Sequence, residues 1–168
     1  MAAPNLTRVD AATRAELLDV DSYTVVLDLT DGSAENPAPG ESTFRSTTTV
    51  RFRCAQPGGA SWIDVVAASV RSATLNGTAL DVSGYDEEKG VALPDLAVEN
   101  ELVVDADCRY MNTGEGLHRF VDPVDQRVYL YSQFEVPDAR RVFTTFEDRK
   151  STRLNSSHSG ESRMPSSA

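Results

Sequence analysis

Gln133 and Glu135 lie at the end of an apolar run, Tyr129-Leu-Tyr-Ser-Gln-Phe-Glu-Val-Pro-Asp-Ala-Arg-Arg-Val-Phe143. Alternation along an extended segment sends both side chains to the same side, where a carboxylate and an amide can grip one small polar group. An amine is the natural guest, because Glu135 supplies charge and Gln133 a fitted hydrogen bond. Glu135 also has a plainer use. The stretch Pro137-Asp138-Ala139-Arg140-Arg141 reads as a helix start, and a carboxylate is favoured near a helix N-terminus.

Other chemistries find little material. A zinc peptidase holds imidazoles on one helix face, usually as His-Glu-x-x-His, with a further carboxylate. The chain has two histidines, His118 and His158, and no such motif can be written. There is no Gly-x-Ser-x-Gly, no phosphate loop, and no Cys or His cluster with metal-ligand spacing. Cys54 and Cys108 fall on the apolar phase of strand-like segments, which predicts buried free thiols. Asp86-Glu87-Glu88 reads as a solvated loop, and Asp105 and Asp107 as the outer phase of a strand.

The elements that must position Gln133 and Glu135 are mostly strands. A short helix is predicted over Leu6 to Leu18, capped by Thr7 or Asp10. Tyr23, Val25, Leu27 and Leu29 then alternate with polar residues, predicting one buried and one wetter face. A turn-rich stretch spans Asp31 to Gly40. Phe44, Ser46, Thr48, Val50, Phe52 and Cys54 share one phase of a long strand, with Arg45, Thr47, Thr49, Arg51 and Arg53 on the other. Further strands are predicted over Trp62 to Val66, Val70 to Leu75, Val91 to Leu93, Leu102 to Cys108 and Val128 to Tyr131. Asn76-Gly77 signals a two-residue hairpin. Gly114 and Gly116 suit a turn with positive φ, and His118 reads as a structural turn residue. Trp62 reads as core or edge packing. Seven or eight short strands indicate a mostly β fold, an antiparallel sandwich or saddle with a short N-terminal helix.

The last stretch differs from the rest. Residues 148–168 contain seven serines among 21 residues, too polar to order themselves, so a disordered tail is expected. The run Asp148-Arg-Lys-Ser-Thr-Arg-Leu-Asn-Ser-Ser-His158 matches one reading frame of a common sequencing adapter, which marks the segment as artefactual. The organisation expected is a β-domain over 1–147 and that tail over 148–168. Net charge is -10 and pI about 4.6, so nucleic acid and anionic membranes are poor partners. The first residues have no apolar core for a signal peptide and no stretch approaches a membrane span, which predicts a cytoplasmic protein.

A second unusual run, Met111-Asn-Thr-Gly-Glu-Gly-Leu-His-Arg-Phe-Val-Asp-Pro123, stands upstream. Together with Tyr131 to Phe143 it resembles the N-terminal domain of the zinc aminopeptidase N family, most closely its actinobacterial-type members. The resemblance runs from about Pro4 to Glu147, and its most specific parts are Gly116 to Phe120 and Tyr131 to Phe143. It implies a β-domain that precedes a zinc-bearing catalytic domain and forms a substrate cleft with it. It further implies that Glu135 anchors the α-amino group of a peptide substrate and that Gln133 lines the pocket for the first side chain. The family's run after Phe146-Glu147 normally continues into a Pro-Asp segment, and here it breaks. The zinc ligands and the catalytic glutamate of the family lie further downstream. The resemblance therefore predicts an incomplete domain with no catalytic residue and no metal of its own, zinc belonging to the parent enzyme. The other class open to the sequence is a non-catalytic β-sandwich interaction module, with Gln133 and Glu135 structural.

Overall fold

A computed structural model describes residues 7–32, 39–134 and 138–146. Helix α1 (Arg8–Leu17) begins at Thr7, whose extended backbone and Oγ1, accepting from the Asp10 amide at 3.2 Å, satisfy one of the helix's free N–H groups. Nine strands follow among the described residues: β1 (Leu18–Asp28), β2 (Thr43–Cys54), β3 (Ser61–Ile63), β4 (Ser69–Leu75), β5 (Thr78–Ala79), β6 (Val91–Leu93), β7 (Glu99–Arg109), β8 (Gly116–Val121) and β9 (Val128–Gln133). A single 3-10 turn, Asp138–Arg141, comes after them. This is the mostly β, antiparallel architecture that the alternation predicts. One sheet has the order β1-β2-β7-β4-β5, and β3-β6 and β8-β9 form two-stranded ribbons.

Period-two burial builds the core. Phe44, Val50, Phe52 and Cys54 of β2 are buried, and so are Leu102, Val104, Ala106 and Cys108 of β7. The register sets Val50 opposite Leu102 and Phe44 opposite Cys108, so one face of the sheet is continuously apolar. Both cysteines are free and buried. Burial pushes the Cys108 thiol up to about 12, which keeps it protonated and inert. Asn76 and Gly77 have φ of 52° and 80°, the paired positive values of the tight hairpin joining β4 to β5.

The second layer over this face includes a strap, residues 142–146, laid across the sheet. Val142, Thr144 and Phe146 are buried beneath it. The Thr144 amide donates to Thr48 Oγ1 at 3.3 Å and the Phe146 amide to Tyr23 Oη at 3.0 Å. The Asp64 and Thr145 amides each donate to the other residue's carbonyl at 3.0 Å. Phe146 meets Phe52 edge-on, centroids 5.2 Å apart. Asp64 also holds helix α1 through its side chain. Arg14, whose side chain is wholly buried, brings Nη2 to 2.7 Å from Asp64 Oδ2. That contact has ion-pair distance without hydrogen-bond geometry, and Arg14 Nε has no hydrogen-bond partner. The guanidinium instead lies 5.0 Å from the Trp62 ring and 5.7 Å from the Phe146 ring.

Two expectations need correction. The first is the buried face of β1: Val25 and Leu27 are each 37% exposed. In the sheet β1 is the outermost strand and pairs only with β2, so the second layer leaves its inner face half open. The second is the strand over Trp62 to Val66, which pairs with β6 only as far as Ile63. Beyond it, Tyr85 Oη donates to the Val65 carbonyl and accepts from the Ala67 amide, both at 2.9 Å. Asp105 and Asp107 lie on the outer phase of β7 as expected, each paired with an arginine. Arg45 forks onto Asp105 at 2.8 and 2.6 Å, and Arg71 reaches Asp107 at 2.9 Å. Trp62 packs as expected, in β3 beneath Arg14. Among the described residues no helix is long and apolar enough to cross a membrane. The turn stretch of 33–38 and the tail expected over 148–168 lie outside the described residues.

Two outcomes follow. Asp64→Ala leaves a buried guanidinium without its counter-charge and is expected to cost about 3–5 kcal/mol, read from urea unfolding. The double variant Arg14→Met with Asp64→Val should recover at least half of that loss. The Arg45 hydrogen bonds hold the Asp105 carboxyl below its ordinary range. A lowered folded pKa contributes stability above the unfolded value, about pH 4, that is lost as pH falls through the folded one. Asp105→Asn should cost about 1 kcal/mol at pH 7 and flatten the acid limb of the stability curve.

Candidate functional site

The run from Met111 to Pro123 folds back on itself before entering β8. Met111 N–H donates to the Leu117 carbonyl at 2.8 Å and Arg119 N–H to the Met111 carbonyl at 2.9 Å. Gly114 and Gly116 take φ of 88° and 65°, the left-handed values their positions in the sequence suggest. At Gly116 a second demand is added. A Cβ there would stand 3.1 Å from Arg141 Cβ, because the 3-10 turn packs directly against the start of β8.

The β8-β9 ribbon sets Gly116 opposite Gln133, His118 opposite Tyr131 and Phe120 opposite Tyr129. Leu117 is buried and Leu130 packs against the core, so this phase faces the body of the domain. Arg119 ties the same phase down by donating to the Gly40 carbonyl at 2.9 Å. The opposite phase is open: Phe120, Tyr129 and Tyr131 are 46%, 47% and 51% exposed. Gln133, the last residue of β9, is also exposed, and across the ribbon it faces a residue with no side chain. The place of that missing side chain is taken by Arg141 and Val142.

Glu135 lies outside the described residues, so the geometry of the Gln133-Glu135 pair is fixed at the Gln133 end only. After that gap the chain resumes in the 3-10 turn, shorter than the helix the sequence suggests. There Arg141 reaches Glu115 at 3.4 Å and Asp138 at 3.1 Å, a structural ion-pair role. Arg140 is buried in the same turn, and its carbonyl accepts from the Val66 amide at 2.7 Å. Phe134 meets Phe143 edge-on at 5.9 Å.

His118 departs from its expected place. It is a strand residue, stacked on Tyr131 with centroids 4.4 Å apart and planes 18° from parallel. Its Nδ1 accepts from the Gly114 amide at 3.0 Å. Neither β8 nor this contact was expected from the glycine-interrupted run. The signal was present in the alternation of Leu117, Arg119 and Val121 with His118 and Phe120, and in the Asp122-Pro123 turn before β9. Among the described residues no three His, Cys, Asp or Glu side chains stand together as metal ligands. The donor set of a zinc site is not gathered from them.

Fold and ribbon together define an antiparallel β-domain with Gln133 exposed at the end of β9. The chain is 57% identical over 155 residues to aminopeptidase N of Streptomyces lividans. It is thereby related to aminopeptidase N, consistent with an N-terminal piece of that protein. The match covers 90% of this chain and 17% of the relative, so the chain spans under a fifth of the relative's length. No family model matches it.

Gly116→Ala tests the packing of the ribbon on the 3-10 turn. A left-handed φ costs a side chain about 1–2 kcal/mol, and the Arg141 contact adds to it. A Cβ at Gly114 would meet nothing within 4 Å, so Gly114→Ala should cost only the backbone part. Urea unfolding of the two variants should rank Gly116→Ala as the more damaging.

Proposed function

We propose that this chain supplies one side of the substrate cleft of a zinc-dependent aminopeptidase, a cytoplasmic enzyme that removes residues from the N-termini of peptides. The observation that carries the reading is the 57% identity to a protein named aminopeptidase N, extending over 90% of this chain. The ribbon is compatible with it. Gln133 ends an exposed strand beside the buried Gly116, where its amide can line a pocket for the first side chain.

In this reading Glu135 anchors the substrate's free α-amine. A carboxylate selects an ammonium over the neutral amide of an internal peptide bond. Discrimination of that kind enforces cleavage one residue from the end. The chain contributes binding and orientation. Zinc, when bound by the remainder of such an enzyme, would supply activated water. Catalytic residues and metal ligands would then come from the remainder, the catalytic domain with which this β-domain shares the cleft.

The test is a chimera in which this chain replaces the matching segment of the Streptomyces relative. The chimera should hydrolyse a chromogenic aminoacyl substrate, whereas the chain alone should release nothing. A hydrogen bond to a charged group is worth about 1.5–3 kcal/mol, so Glu135→Gln should lower kcat/KM roughly 10- to 150-fold, mainly through KM. An unchanged kcat/KM in that variant refutes the amine-anchoring role. Chelator-sensitive turnover by the isolated chain refutes the division of labour.

A further inference from the structure

We propose that His118 is the positioning residue for Gln133, through a neutral imidazole that ties the glycine turn to the strand ending in that glutamine. The proposal rests on the reading of Gln133 as a pocket residue. It is carried by the geometry of one ring. Nδ1 accepts from the Gly114 amide at 3.0 Å, which places the proton of the neutral ring on Nε2. The same ring stacks at 4.4 Å on Tyr131, which lies two residues before Gln133 on the same phase of β9.

The turn has reason to need this tie. Gly114 and Gly116 both have positive φ, where glycine's unfolded freedom is greatest and the folded conformation is least self-enforcing. Backbone hydrogen bonds close the turn only at its ends, through Met111 with Leu117 and Arg119. Within it, Glu115 is drawn outward to Arg141 at 3.4 Å, and the Gly114 amide is held by His118. Gly116 ends the turn and is the direct cross-strand neighbour of Gln133. A turn released at Gly114 therefore loosens the partner against which Gln133 is set, and a ring removed from Tyr131 loosens the strand itself.

Two substitutions separate the ring's functions. His118→Phe keeps the stack on Tyr131 and removes the acceptor. His118→Asn places an amide oxygen near the position of Nδ1 and removes the stack. In the full 168-residue chain, nitrogen-15 NMR would follow Gly114 amide exchange and the Gln133 side-chain amide resonances, with leucinamide titrated as the α-amine probe. His118→Phe should speed Gly114 exchange at least tenfold and shift or broaden the Gln133 side-chain signals. His118→Asn should return Gly114 exchange towards the wild-type rate. Tyr131→Ala, at an exposed position outside the core, should move the Gln133 signals with the fold intact.

Gln133 signals that stay unchanged in His118→Phe and Tyr131→Ala overturn the proposal, as does Gly114 exchange that is equally fast in the Phe and Asn variants. The pocket reading is judged separately. Wild-type Gln133 signals that ignore leucinamide, while still responding to the His118 variants, refute the pocket and leave the positioning intact.

Discussion

The buried guanidinium of Arg14 is the contact on which the rest of this domain turns. Taking a charge out of water is costly unless it is paired, and here the pairing draws on three separate parts of the chain. Asp64 supplies the carboxylate at 2.7 Å, Trp62 one aromatic face and Phe146 another. A desolvated cation over aromatic rings is worth about 2 kcal/mol, which helps offset a nitrogen left without a hydrogen bond. The charge therefore joins α1, β3 and the strap at one point.

From that centre a line of contacts runs to the candidate site. Asp64 exchanges backbone hydrogen bonds with Thr145, which fixes the strap on the core. The strap continues backward into the 3-10 turn, where the Arg140 carbonyl accepts from Val66 and Arg141 packs on Gly116. Gly116 begins β8 and stands opposite Gln133. The exposed end of the ribbon is therefore seated on the same element that closes the core. In the proposed reading, a ligand group at Gln133 would meet a strand whose position is set by buried contacts, as pre-organised binding requires. An isolated two-stranded ribbon would be marginal in water, and this seating is what gives it a fixed place.

The outer face of the sheet follows different physics. Its arginines pair with acids on neighbouring strands, as Arg45 does with Asp105 and Arg51 does with Glu101. Arg51 stands directly opposite Glu101 and Arg45 diagonally to Asp105, and although each pair adds little, opposite charges so placed disfavour a slipped register. The acidic excess of the chain is in this way partly organised.

Much of the fold was legible in the residues themselves. Period-two alternation in Phe44 to Cys54 and in Leu102 to Cys108 identified the two central strands, because a sheet with one buried face imposes that pattern directly. Asn76-Gly77 identified its hairpin for the same local reason, since only such residues take two positive φ values in succession. Thr7 and Asp10 likewise marked the helix start. The place of Gln133 at a strand end was legible too, and so was the relation to aminopeptidase N from the runs around it. What the sequence could not disclose is every contact between distant segments. Arg14 meeting Phe146, Tyr23 accepting from the strap, and His118 stacked between Gly114 and Tyr131 depend on which face of each element is covered. The half-open face of β1 has the same origin. Tyr23, Val25 and Leu27 share one phase of it, but burial is decided by what packs on a strand, and only the assembled sheet makes β1 an outermost strand.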